Sequence, residues 1–578
     1  MKHHRMGRWA LCVMGLAILA CVSPQVALFQ PTPSPTPTPG FSPDLLTPEA
    51  TLAITPVATL PRAEQQPTAT AAMTATPDFA YLTGDIRLYP GPLHYVGDLI
   101  SMELVVGNGA QLKNEVDATI SIDRQSPPIQ AKGYLYDSPL TTNVLVLRWV
   151  WDTSNLDSGM HQVMVTLPDT GGQEPQKLST YVNLLPASAR PPQEVGAKWD
   201  VRNTACCTLR FVTHTPAERD VYSLADRANK AVAAVEQKMG FPVAKKPVPL
   251  TFIGVEWGNG AYTGDEVVLS YVDRAYVAND FDTVLRHEIT HWAMRPYGGH
   301  EPLLLAEGVA VYIAGGHYKP EPMPERGRAL VDMDLYIPLT TLTDQFSAQQ
   351  HETAYIEAGS FVQYLVETYG WGKFLSLYGS DHLDGSGSRW LDEALRLQYQ
   401  KGLSDVERDY KAWLMKHDAG TQLNDVRLGI ALYNLIRRYQ DQYAPYQEAL
   451  PASQDAVDRK QTAEFMRQAN APENIALEMV FETAGKQLRA GQYAQLEMTL
   501  AAVDAALSSG DFSQQPVADS LAIAKALAAA GYEGQSVDIS GDSATAQAIH
   551  TWPRLQTVAL KRSGDSWTVV AAGAVAPH

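Results

Sequence analysis

Cysteine is scarce in this sequence, four residues in 578, so a disulfide scaffold cannot be what holds the fold. Charge is scarce too, at 19% of residues, and basic charge is outnumbered: 45 Lys and Arg stand against 63 Asp and Glu, a net charge of −18. A nucleic-acid binder needs a basic face to neutralise phosphates, so nucleic acid is not an expected partner. Long apolar runs are also missing. The stretch from Trp9 to Ala20 is about a dozen residues, short of the roughly 20 that a spanning helix needs, and no later segment is better suited. Apolar residues, by contrast, make up 45%, enough for real cores and too many for a mostly disordered chain. At roughly 150 residues per domain the length suggests about four units. Much of the excess among the 38 prolines sits before residue 80, which leaves three folded parts.

Lys2, Arg5 and Arg8 form a positive region ahead of the short apolar run, the pattern of an export signal. That run ends in Ile18-Leu19-Ala20-Cys21, which resembles the lipobox of bacterial lipoproteins. The resemblance implies cleavage before Cys21 and a lipid on its thiol, hence an exported protein anchored in the cell membrane and facing the extracytoplasmic side. An ordinary secretory signal and an uncleaved anchor are the alternatives. Residues 22–78 form a Pro/Thr-rich linker. Its Pro31-Thr32-Pro33-Ser34-Pro35-Thr36-Pro37-Thr38-Pro39 run favours an extended, solvated stalk.

Residues 79–192 read as a β-sandwich. Ile100, Met102, Leu104 and Val106 alternate with Ser101 and Glu103, the period of a half-buried strand. Val144 to Trp151 is a second strand candidate, and His161, Val163, Val165 and Leu167 alternate again after the turn residues Asp157-Ser158-Gly159. The block resembles immunoglobulin-like modules, which implies a spacer and no chemistry. Near Trp199 the pattern changes to α+β. Thr215, Pro216 and Glu218 suggest a capping box, followed by Val221, Leu224, Ala228, Val232, Val235 and Met239 at helical spacing as far as Gly240. Val248 to Ile253 and Glu266 to Tyr271 read as strands.

The most informative residues follow: His287-Glu288-Ile289-Thr290-His291. Val284, Leu285, Ile289 and Ala293 flank them and Pro296 is a stop, so the spacing predicts a helix of about three to four turns. Positions four apart lie one above the other, so both imidazoles point into the same space. That suits two ligands of one zinc ion, with Glu288 beside them to act on a water. The same five residues also occur by chance in ordinary helices. A metzincin-type third histidine is absent, since Met294 and Tyr297 hold the places of its glycine and histidine. Instead an apolar helix, Leu303 to Tyr312, carries one carboxylate, Glu307. Burying an unpaired carboxylate is costly, so Glu307 needs a cation or a strong donor. Zinc on His287 and His291 supplies one, and pairing with Arg286 is the alternative.

The two helices together, His-Glu-x-x-His and then Leu-Ala-Glu-Gly-x-Ala, resemble the gluzincin metallopeptidases, within them the peptidase MA-like families. The resemblance covers roughly residues 200–415 and implies a zincin-like peptidase domain over 193–418 with one Zn2+ per chain. Its metal ligands would be His287, His291 and Glu307. The segment Tyr355 to Leu365 resembles the helix that follows the site in these families, which makes Tyr355 the candidate donor to the oxyanion. A tyrosine packed in a helix interface is the other reading of Tyr355. The implied activity is zinc-dependent hydrolysis of a protein or peptide substrate, with Glu288 as general base. The segment Gly264 to Tyr271 is expected to be an edge strand that pairs with extended substrate. The Gly-Ala-Met-Glu-Asn motif of aminopeptidases is missing, and Asn259-Gly260-Ala261-Tyr262 only faintly echoes it, which favours an endopeptidase. The competing reading is a catalytically inactive, surface-anchored binding module on a peptidase fold.

Other residues carry weaker signals. His300 is an alternative third ligand. His351-Glu352 begins like a second zinc motif, but Tyr355 takes the second histidine's place, so a surface helix start is expected. Cys206 and Cys207 read as buried thiols, with a vicinal disulfide or pairing between chains as alternatives. Ser404 to Glu407 suggests another capping box, and residues 419–472 a helical connector on Leu428, Leu432, Leu435 and Ile436. Residues 473–578 read as helices and then a β-meander, resembling the cone-shaped fold of nuclear transport factor 2.

Overall fold

The computed structural model describes residues 86–574 except 92, 107–114, 124–127, 139–140, 168–175, 259, 300, 381–385, 445–460 and 553. The export signal with Cys21, the linker 22–78, Asn259 and His300 lie outside the described residues. Among the described residues, no helix is long and apolar enough to cross a membrane.

The N-terminal part is all β: β1 (Ile86–Tyr89), β2 (His94–Tyr95), β3 (Leu99–Val106), β4 (Glu115–Ile122), β5 (Ile129–Ser138), β6 (Thr141–Asp152), β7 (Gly159–Leu167) and β8 (Gln176–Leu185). They form one sheet in the order β1-β3-β6-β5-β4-β7-β8-β2. Laid flat at about 4.8 Å per strand, its edges would stand roughly 34 Å apart. The short link from Tyr89 to His94 joins those two edges and reaches at most about 18 Å. The sheet therefore closes on itself, around Ile100, Leu104, Ile120, Leu147, Val163 and Val182. Alternation along β3 predicts one wet face, but Ser101 and Glu103 are buried too. Glu103 accepts from Arg148 of the neighbouring strand at 2.7 Å, and Ser101 is covered by a distant segment: its Oγ donates to Glu464 Oε2 at 2.7 Å, and Gln461 Nε2 to the Leu99 carbonyl at 2.8 Å. The same segment reaches the next sheet, where Trp199 Nε1 donates to the Gln461 carbonyl at 2.7 Å and Gly254 N to that of Phe465 at 2.8 Å. Arg467 completes the strap, its buried guanidinium donating to Asp98 at 2.8 Å and to Glu194 at 2.7 Å.

The second sheet comprises β9 (Trp199–Asn203), β10 (Cys207–Val212), β11 (Val248–Ile253), β12 (Ala261–Thr263) and β13 (Val267–Ser270), in the order β12-β13-β11-β10-β9. The edge next to the zinc-motif helix is thus the three-residue strand β12. The predicted edge strand, β13, is internal, paired in parallel with β11 and antiparallel with β12. Cys206 and Cys207 are joined in a vicinal disulfide just before and at the start of β10, which corrects the reading as buried thiols.

Helices α1 (Pro216–Arg219) and α2 (Val221–Met239) follow β10. The capping box does not form there. Thr215 Oγ1 turns back to donate to the Val212 carbonyl at 2.6 Å, and Glu218 accepts instead from the His214 amide at 2.7 Å. The remaining helices of this part are α3 (Phe281–Met294), α4 (Leu303–Ala314), α5 (Met323–Asp332), α6 (Leu339–Asp344), α7 (His351–Tyr369), α8 (Trp371–Tyr378), α9 (Gly387–Tyr399), α10 (Leu403–Leu414) and α11 (Gln422–Tyr443). The capping box at Ser404 also fails, because the helix starts one residue earlier and Glu407 accepts from Tyr336 OH at 3.0 Å instead. The C-terminal part has α12 (Pro472–Arg489), α13 (Tyr493–Ser509) and α14 (Val517–Ala529), then an antiparallel meander. Its strands are β14 (Glu533–Ser540), β15 (Ser543–Thr551), β16 (Arg554–Ser563) and β17 (Ser566–Ala574). Fully buried Arg274 ties this part to the loop before α3, with bonds to Glu478, to Glu533 at 2.9 Å and to the Ala469 carbonyl at 2.7 Å.

Candidate active site

The helix α3 forms where the apolar spacing places it. Asp280 caps it by accepting from the Thr283 amide at 2.9 Å, and Leu285 and Ile289 bury its inner face. His287 and His291 consequently project together from one face. Their Nε2 atoms lie 3.1 Å apart, and Glu307 Oε2 on α4 is 3.3 Å from the first and 3.2 Å from the second. Donors at about 2.0–2.1 Å from a tetrahedral zinc ion stand about 3.3 Å apart. This triangle, and its two-imidazole, one-carboxylate chemistry, therefore fit one zinc ion. Arg286 does not take Glu307; its guanidinium donates to the Ala314 carbonyl and to Thr283 Oγ1, both at 3.1 Å.

The three groups act on one another's charge. Burial holds the His287 imidazole below its ordinary value, with a further push from His291 against the hydrogen bond to Glu307. Burial acts the same way on His291, but Glu307, Glu288 and Glu301 overcome it and push it up to about 9. Glu307 sits well below the usual carboxylate range: burial opposes this, and His291 and His287 outweigh it. The cluster thus favours positive charge beside a half-buried carboxylate.

The other residues close around this triangle. Glu288 is buried, and Thr263 Oγ1 on β12 donates to its Oε2 at 2.5 Å and to its carbonyl at 3.1 Å. Thr263 was not read from the sequence, because a three-residue strand shows no period. Tyr355 lies near the start of α7 and lines the same cavity as Glu307. Burial first, then Glu307 and nearby charges, keep its phenol well above its ordinary value, so it stays a donor. Its ring packs on His317, at 4.1 Å between centroids, and on His351, at 4.3 Å, as the helix-interface reading expects. The helices that carry Glu307 and Tyr355 meet at backbone distance. A Cβ on Gly308 would come within 2.6 Å of the Ala358 carbonyl oxygen, and one on Gly359 within 2.4 Å of Val311 Cγ1. Glycine at both places lets α4 and α7 approach closely enough to set the tyrosine beside the ligands.

A cavity of about 360 Å³ opens over these groups, walled by Ala261 and Thr263 of the edge strand on one side and by Arg295, Glu301 and Tyr378 elsewhere. The pair His351-Glu352 is no surface helix start. Gln350 caps α7, Glu352 is buried, and its carboxylate lies 2.8 Å from His317 Nδ1.

A helix-borne His-Glu-x-x-His with a glutamate on the next helix defines the class of zinc-peptidase-like sites. One comparison bears on that class. Residues 250–416 match the family model of the Peptidase MA superfamily. No curated protein sequence matches. Among solved structures, yeast LTA4 hydrolase in complex with bestatin aligns at 12% identity and a TM-score of 0.30, over 78% of this chain and 96% of that one. An aminopeptidase N family protein from Idiomarina loihiensis aligns at 11% and 0.27, over 56% and 75%. Legionella pneumophila aminopeptidase A in complex with aspartic acid aligns at 11% and 0.24, over 57% of this chain and 50% of that one.

Proposed function

We propose that the chain is a zinc-dependent peptidase with its reaction centre at His287, Glu288, His291, Glu307 and Tyr355. The observation that carries the reading is the triangle of 3.1–3.3 Å between the three ligand atoms, with the carboxylate of Glu288 beside it. His287, His291 and Glu307 would hold the metal. A zinc ion there supplies Lewis acidity, lowering the pKa of a water towards about 7 and polarising a carbonyl. Glu288 accepts the proton of the attacking water and returns it to the leaving amine. Thr263 holds that carboxylate in one orientation. Tyr355, kept protonated, donates to the developing oxyanion. The edge of β12 offers backbone groups to an extended peptide, and Ala261 and Thr263 place that edge on the cavity wall.

The missing Gly-Ala-Met-Glu-Asn motif favours an endopeptidase over an aminopeptidase. By their resemblances, the 79–192 block is an immunoglobulin-like spacer and the 473–578 block a docking module similar to nuclear transport factor 2. With a lipid on Cys21, the stalk would hold the enzyme outside the membrane. The test is Glu288→Gln in the full chain. Zinc content is expected to stay at the wild-type value while hydrolysis of a denatured protein stops. Cleavage at the wild-type rate would refute the assigned base.

A further inference from the structure

A second group of two histidines and a glutamate lies next to the first. His317 comes from the turn after α4, and His351 and Glu352 from the start of α7. Their donor atoms all lie within 4.8 Å of one another: Glu352 Oε1 is 2.8 Å from His317 Nδ1 and 3.9 Å from His351 Nδ1. The rings of His317 and His351 are 5.1 Å apart, and each packs on the ring of Tyr355.

The charge balance around Glu352 is unusual. Close by, buried Arg326 and half-buried Lys319 are matched by Glu321 and Asp425, through Arg326–Glu321 at 3.1 Å, Lys319–Asp425 at 2.8 Å and a bond from Arg326 to Asp425. Two cations thus answer two carboxylates. The Glu352 carboxylate lies 2.8 Å from His317 Nδ1 and 3.9 Å from His351 Nδ1, which also meets Tyr318 OH at 3.5 Å, while Arg326 and Arg437 act on the cluster through their charge. A buried carboxylate between imidazoles calls for a proton or a metal ion to complete it. Two nitrogens and one carboxylate oxygen suit zinc and its transition-metal neighbours better than magnesium or calcium. His317 and His351 also line the cavity described above, which gives an ion a way in.

We propose that His317, His351 and Glu352 form a second site for a zinc-class divalent ion, separate from the His287–His291–Glu307 site. An ion there would clamp the turn after α4 to the start of α7 and so fix the ring of Tyr355 from behind. It shares no ligand with the first site, so its role is positional.

The experiment strips the full chain with a chelator, dialyses it against Zn2+ or Co2+, and counts metal by mass spectrometry. The wild type is expected to hold two ions. The His287→Ala/His291→Ala chain is expected to keep one, which disappears when His351→Gln is added. The His317→Gln/His351→Gln chain is expected to keep one, at the first site. Should that last chain not fold, the His287→Ala/His291→Ala chain still decides. If it keeps none, the second site is overturned, while a single ion in the wild type leaves the first site intact. If it keeps an ion that survives His351→Gln, the ion is a surface one and the proposal also falls.

Discussion

Tyr355 touches two clusters of the same composition, and they are built in different ways. His287 and His291 stand four apart on one helix, so local geometry alone brings them together, and only Glu307 has to arrive from elsewhere. His317 and Glu352 stand 35 residues apart and meet only because α4 and α7 pack at Gly308 and Gly359. The first cluster has three near-equal donor distances, while those of the second are unequal. A site encoded by one helix is preorganised by the backbone. A site encoded by packing depends on everything that sets the packing.

Exchanging one histidine in each cluster tests that contrast at its largest. His291→Ala is expected to lower hydrolysis of a denatured protein by about 10³-fold or more, since several kcal/mol of charge stabilisation go with the metal. His351→Ala should leave a readily measured rate, and equal losses would break the comparison. Tyr355→Phe removes the proposed oxyanion donor and keeps the packed ring. A fall in kcat of about 10²-fold with little change in KM is expected; an unchanged kcat would return Tyr355 to a packing role. Thr263→Val, which leaves Glu288 without its bond, is expected to cost about tenfold in kcat with zinc content unaltered. Gly308→Ala forces α4 from α7, and denaturant unfolding is expected to show a loss of about 1–3 kcal/mol. Unchanged stability would mean that the helices are not held at that spacing.

The same contrast explains what could be read from the sequence. The proposed ligands His287, His291 and Glu307 and the proposed base Glu288 carry signals of spacing and of a lone charge on an apolar helix. The strands around Ile100, Val144, Val163 and Val248 carry alternation or β-branched runs, and each forms. Thr263 carries none, because three residues of edge strand have no period. The partners of Ser101 and of Arg467 lie hundreds of residues away in sequence, so burial on the second face of β3 was invisible. Glu352 was misread because its nearest sequence neighbours are polar, while its partner His317 is contributed by another element. The two capping boxes fail differently: Glu218 accepts from the His214 amide, whereas Ser404 lies inside a helix that already begins at Leu403. For Cys206 and Cys207, adjacency alone did not decide between thiols and a disulfide.

The central claim is hydrolysis at the His287–His291–Glu307 centre. Its most direct measurement is the initial rate at which the full chain cleaves a fluorescence-quenched denatured protein, taken before chelation, after it, and after zinc is restored. A rate that vanishes on chelation, returns with zinc and is absent throughout in Glu288→Gln is the predicted result. A wild-type rate no higher than that of Glu288→Gln, with zinc present, would contradict it.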